Sequence, residues 1–180
     1  MIFATVGTQL PFDRLLLGLN SWAMRNPDVP VFAQAGTSTR DFSHIKTVSH
    51  LSQSDFQAHF EAAHLVVAHA GMGSILSAAE LGKPIILMPR RAKFREHRND
   101  HQQDTANKMA RLSNVTVVQD GEALHEALDY ALSRGFEIAP QTAVAQASDF
   151  DPLIEAVRDF VWSEFDTAAK PRSDFREKAA

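Results

Sequence analysis

The sequence contains no cysteine. That absence excludes a thiol nucleophile, a thiolate metal site and a structural disulfide, and it fits a reducing, cytoplasmic compartment. Long apolar runs are missing too: the longest, Pro84 to Pro89, falls far short of the roughly 20 residues that a membrane span needs. The opening MIFATVG has neither the basic stretch nor the apolar core of a signal peptide. Any membrane contact is therefore expected to be peripheral or made through another protein. A basic excess is lacking as well. Eighteen Lys and Arg stand against 22 Asp and Glu, and a net charge of -4 argues against nucleic acid as the main partner. What remains is a chain of 180 residues with 44% hydrophobic content, enough for one ordinary domain that builds its own core.

The hydrophobic pattern organises that domain. Ile2 to Val6 is a short apolar run ending at Gly7, and Phe12, Leu15, Leu16 and Leu19 then recur with the period of an amphipathic helix. Val31 to Ala35 and Ile45 to Val48 read as further strands, and Ser54 with Gln57 reads as the capping box of the next helix. Leu65 to Ala68 is a strand, followed by a helix over Gly73 to Leu81 and a strand at Ile85 to Met88. A polar loop, a helix from Asp100 to Leu112, a strand at Val115 to Val118 and a helix carrying Leu124, Ala127, Leu128 and Ala131 complete the alternation. The strands are continuous apolar runs, as in a parallel sheet covered on both faces, so the expected fold is a doubly wound, Rossmann-like α/β domain over residues 1–139. Residues 140–166 are expected to form a linker and a last amphipathic helix opened by Asp151 and Pro152, and 167–180 a disordered tail.

In such sheets ligands bind beyond the carboxyl ends of the strands. Three segments there have unusual composition. Gly7-Thr8-Gln9 follows the first strand, and its small residues fit either an anion contact or a simple turn. AHAGMGSILSAAELGKP places His69, Gly71, Gly73 and Ser74 at the start of a helix, where unpaired N–H groups and the helix dipole suit a diphosphate. Ser74, Ser77 and Glu80 are expected on a different side from the apolar stripe of that helix. The third segment, PRRAKFREHRNDHQQDTA, carries Arg90, Arg91, Lys93, Arg95 and Arg98 against the single acid Glu96. It reads either as a solvated loop or as a trap for an anion. His97, His101 and Asp104 have a spacing that raises a metal site, but no further ligand is evident, and none is expected. Asn99, His101 and Gln102 offer neutral groups suited to sugar hydroxyls.

Together, VGTQLPFDRLL, HAGMGSILSAAELGKPIILMPRR and HRNDHQQDTA resemble the carboxyl-terminal, donor-binding half of family-28 GT-B glycosyltransferases. The layout is similar to the soluble subunits of two-component enzymes, both the bacterial exopolysaccharide glucuronosyltransferases and the eukaryotic enzyme that makes lipid-linked chitobiose. The resemblance implies a single GT-B half. Gly7, Thr8, Gly71, Gly73 and Ser74 would surround the diphosphate of a UDP-sugar, and Asp100, His101 and Gln102 would approach its sugar. In the basic loop, Arg90, Arg91, Arg95 or Arg98 could pair with the carboxylate of a glucuronosyl group, which makes UDP-glucuronate the expected donor and UDP-N-acetylglucosamine the alternative, or they could equally meet phosphates or the partner. No cofactor is implied, since the UDP-sugar is a substrate. The implied partner is a membrane-associated subunit that binds a polyprenyl-diphosphate-linked acceptor, recruits this chain to the inner membrane face and supplies the base, with His69 the alternative in this chain. One departure stands out: where several family members carry a ribose-binding glutamate, this sequence has Ser77. Ribose contact would then fall to Ser77, to Glu80 or to the partner.

Overall fold

The computed structural model describes residues 1–136, so the expected linker, last helix and tail lie outside the described residues. Six strands form one fully parallel sheet in the order β3-β2-β1-β4-β5-β6. They are β1 (Ile2–Thr5), β2 (Val31–Gln34), β3 (Lys46–Val48), β4 (Leu65–Ala68), β5 (Ile85–Leu87) and β6 (Val115–Val117). The connecting helices are α1 (Asp13–Arg25), α2 (Gln53–Ala62), α3 (Met72–Glu80), α4 (His101–Met109) and α5 (Gly121–Ser133). The chain winds outward from β1 to β3, returns to the centre at β4 and winds out the other way. The topological switch point is therefore between β1 and β4, which pair Ile2 with Leu65 and Thr5 with Ala68.

Alternation along β1 divides the core. Ile2, Ala4 and Val6 join Leu15, Leu16, Leu19 and Trp22 of α1 and Leu124 and Leu128 of α5 in one apolar cluster. Phe3 points the other way, packing edge-on against Phe56 and Phe60 of α2 at centroid distances of 5.4 and 6.0 Å. Burying each of the large α1 side chains contributes about 1.5–3 kcal/mol, which explains why a stripe this regular forms a helix here. A hydrogen bond from Trp22 Nε1 to Asp129 Oδ1, 2.6 Å, ties α1 to α5 at the edge of that cluster.

Three helix starts differ from the expectation, that of α3 by one residue, at Met72 instead of Gly73. The cap of α2 is Ser52, two residues before Ser54: its Oγ accepts from the Asp55 N–H at 3.1 Å and donates to the Asp55 carboxylate at 2.7 Å. A carboxylate at the third helical position gains from the helix dipole, which the Gln57 amide would not, and Gln57 instead bonds Glu61. Helix α4 begins at His101 because the Asp100 side chain is taken by the preceding loop, where its Oδ1 accepts from the Ala92 N–H at 2.9 Å.

Candidate functional site

The carboxyl edge of the sheet, at the β1/β4 switch point, carries an open cleft of about 290 Å3. One wall is the β1–α1 turn from Val6 to Leu10, the floor holds His69 and Arg90 at the ends of β4 and β5, and the other wall is His97 with Gln102. Gly7 sits at φ +75, a conformation that disfavours any side chain, and its N–H donates to Thr5 Oγ1 at 3.3 Å. The turn thereby leaves Thr8 and Gln9 exposed on the rim.

His69 lies close against two glycines. A Cβ on Gly7 would come within 3.0 Å of its Cε1, and one on Gly71 within 2.4 Å of its Nε2. Its Nδ1 is buried without a hydrogen-bond partner. Burial, reinforced by the neighbouring Arg90 guanidinium, pushes the imidazole down to about 4, so it is neutral at physiological pH. Gly71 caps α3, and the N–H groups of Met72, Gly73 and Ser74 in its first turn precede the first intrahelical bond, from Ile75 to the Gly71 carbonyl.

Arg90 is the one charged side chain that is buried among the described residues, at 3% exposure. Its Nη2 donates to the carbonyls of Val6 and Leu10, both at 2.6 Å, and its Nη1 to those of Pro11 at 2.7 Å and Glu96 at 3.2 Å. Burial lowers the guanidinium to about 10, partly offset by Glu96, and it stays charged. The Glu96 carboxylate grips Arg14 through two bonds of 2.8 and 2.9 Å and accepts from the Arg91 N–H.

Of the residues singled out from the sequence, Gly7, Thr8, His69 and Gln102 line one cleft, and Gly71 lies against His69 at its margin. Gly73 and Ser74 follow in the first turn of α3, and Ser77 is half-buried one turn on; none of the three lines the cleft. Arg91 also lies outside it, its guanidinium bonded to Gln119 Oε1. Asp100 staples the loop as described, and His101 is exposed on α4. Gln102 holds its Oε1 on the Arg90 N–H at 3.1 Å, which leaves the amide NH2 as its donor end. Leu10 is a lining residue that nothing in its local pattern marked; Gln9 was read only as part of the Gly7-Thr8-Gln9 turn and His97 only as a candidate metal ligand, yet both line the cleft. Among the described residues, no three His, Asp or Glu side chains cluster as metal ligands; His97 Nδ1 contacts Asn99 Oδ1 at 2.9 Å instead.

The family model for the glycosyltransferase family 28 C-terminal domain matches residues 1–157. A UDP-N-acetylglucosamine--N-acetylmuramyl-(pentapeptide) pyrophosphoryl-undecaprenol N-acetylglucosamine transferase from Solibacter usitatus (strain Ellin6076) is 32% identical in a 116-residue alignment that covers 59% of this chain and 31% of that relative. The match thus spans less than a third of the curated relative's length. Among solved structures, ALG13 is similar with a TM-score of 0.57 at 18% identity, over 84% of this chain and 93% of that one. Acinetobacter baumannii MurG is similar with a TM-score of 0.54 at 19% identity, over 74% of this chain and 42% of that one. At these identities the structural matches show the shared fold.

Proposed function

This chain belongs to the glycosyltransferase family 28 C-terminal domain family, and from that premise we propose that its cleft binds a UDP-sugar as the donor half of an inverting glycosyltransferase. The observation that carries the reading is the convergence, at the switch point, of the Gly7–Thr8 turn, a buried cation and the Gln102 amide. Phosphate oxygens would meet the Thr8 hydroxyl and the free N–H groups at the start of α3, and sugar hydroxyls would meet the Gln102 amide. An acceptor hydroxyl then displaces UDP at the anomeric carbon: the new C–O bond forms as the bond to the diphosphate oxygen breaks. Negative charge growing on the leaving diphosphate is stabilised by the α3 dipole and the Arg90 charge.

His69 is a poor base for that acceptor, because a buried imidazole with a pKa of about 4 has little affinity for the proton. We assign the base and the acceptor site to a second, membrane-associated chain that holds a polyprenyl-diphosphate-linked acceptor. The cleft supports this reading: at about 290 Å3 and open to solvent, it lies at the small end of ligand sites, and a facing surface would be needed to enclose a nucleotide sugar. Among the described residues, no helix is long and apolar enough to cross a membrane.

The UDP-glucuronate expectation now rests on fewer residues. Arg90 and Arg91 are bonded internally, so a sugar carboxylate would have to meet Arg95 or Arg98, both exposed. Titrating the chain, alone and with its partner, against UDP-glucuronate, UDP-glucose and UDP-N-acetylglucosamine tests donor and function together. Transfer that appears only when both chains are mixed supports the proposal, and failure of the chain to bind any of the three overturns it. Ser77, at the position of the family's ribose-binding glutamate, favours one second reading: a nucleotide-sugar binding module without catalysis. That reading predicts binding with no transfer in the same assay.

A further inference from the structure

A buried charge needs a reason. Arg90 carries no carboxylate partner, since the Glu96 carboxylate is held by Arg14; its guanidinium is matched instead by backbone carbonyls and by the Phe12 ring, 4.8 Å from Cζ. Three of its four carbonyl partners, Val6, Leu10 and Pro11, belong to the turn that forms one cleft wall. The fourth is Glu96, in the loop that leads to the other wall, and the Arg90 N–H also holds Gln102 Oε1 there. One residue therefore touches both sides of the cleft. If core packing were all that this position required, an apolar side chain of similar volume would meet it without the desolvation cost of a cation. A lysine would not substitute either, because its three donors radiate from one nitrogen and cannot match a planar fork spread over four acceptors.

We infer that Arg90 is a positioning residue for donor binding: it clasps the β1–α1 turn to the β5–α4 loop and so sets the width of the cleft between Thr8 and Gln102. The inference rests on the donor-site reading for its purpose, though the clasp can be observed without any donor. A carbonyl-bound guanidinium also keeps its positive charge available to an anionic ligand, since no acid neutralises it directly.

The test uses the full chain with Arg90→Lys and Arg90→Met. Amide hydrogen exchange is read at Val6 and Gly7, whose N–H groups bond the Gln34 carbonyl and Thr5 Oγ1, with Val66 and Val67 of β4 as the internal reference, and UDP affinity is read by calorimetry. The clasp predicts exchange in the turn faster by about tenfold in both variants, an unchanged β4 reference, and UDP affinity weakened by about tenfold or more. In Arg90→Met the His69 titration midpoint, followed by NMR, should also rise from about 4, since burial and then the Arg90 charge hold it down. Unchanged exchange in the turn, or an Arg90→Lys variant with wild-type affinity, would overturn the inference. The wild-type chain supplies a test that needs no variant: Arg90 Nη protons should be resolved and slow to exchange, and rapid exchange there would also overturn it. If wild-type protein bound no UDP, the donor reading would fall while the exchange measurements still decided the clasp.

Discussion

Gly71 and Gly73 are two residues apart, and alanine at each should move stability in opposite directions. At Gly71 the backbone, φ -92 and ψ 134, is ordinary for alanine, so dihedral strain is not at issue. The new methyl would, however, lie 2.4 Å from Nε2 and 3.0 Å from Cε1 of His69. Reaching normal contact requires a shift of about 1 Å in a buried ring that Gly7 also crowds, at the same Cε1 and Nε2 atoms. Overpacking of this kind costs about 1–3 kcal/mol, and at about 2–4 °C per kcal/mol for a chain of this size the melting temperature should fall by about 2–12 °C. At Gly73 a Cβ would meet nothing within 4 Å, and exchanging glycine for alanine inside a helix gains up to about 1 kcal/mol. Gly73→Ala should therefore melt at the same temperature as wild type or slightly higher. Its methyl would nevertheless stand at the open start of α3, so UDP affinity should fall despite the retained stability. Calorimetric melting and UDP titration of both variants check this. A neutral Gly71→Ala, or a Gly73→Ala that melts lower than Gly71→Ala, would refute the packing argument.

Three further outcomes are expected. The folded-state pKa of His69, about 4, lies below its ordinary 6.5, so the unfolded chain binds the extra proton between those values. The resulting stability, up to about 3 kcal/mol, is fully present above pH 6.5 and is lost as pH falls towards 4; urea unfolding across that window should show the slope in wild type and lose it in His69→Gln. Asp120→Ala removes the cap bond to the Ala123 N–H, 3.0 Å, and should cost about 1 kcal/mol in thermal melting while leaving UDP binding intact. Gln102→Ala should weaken discrimination among UDP-sugars more than affinity for UDP itself, as read by competition titration, and equal losses for both would contradict a sugar-facing amide.

The parts of the fold that were legible are those where local pattern and tertiary demand coincide. Leu65 to Ala68 reads as a buried strand because both faces of a central parallel strand are covered, so nothing polar interrupts it. The α1 stripe was legible for the same reason: its period and its burial against α5 agree. Ser52 was missed because the choice between two serines depends on which downstream side chain can return the bond, and Asp55 does so better than Gln57. In the site, glycines beside a strand end announced a close approach, and the structure supplies its object in the His69 ring. Arginine direction was not legible. Arg90 turns inward to carbonyls as far as 84 residues away in sequence, and Glu96 is claimed by Arg14 across 82, so neither partner is visible from the loop's own composition.

That division of the basic loop separates two electrostatic roles. Arg90 is buried and short of a counter-charge, so its attraction for an anion is poorly screened by salt. Lys93, Arg95 and Arg98 are exposed, and their attraction fades beyond about 8 Å at physiological ionic strength. On a chain of net charge -4, an anionic nucleotide sugar is repelled at long range, and these three side chains form the local exception through which it would approach. Exposed charges act mainly on encounter, whereas buried contacts act on escape. Replacing Lys93, Arg95 and Arg98 together by glutamine should thus lower the UDP association rate and flatten its dependence on salt, with the dissociation rate nearly unchanged. Arg90→Lys should do the reverse, speeding dissociation with little effect on the salt dependence. Stopped-flow binding at 20 and 200 mM salt, between which the Debye length shortens about threefold, separates the two. A triple variant that changed only dissociation would place those side chains in the bound contact, and the approach argument would fail.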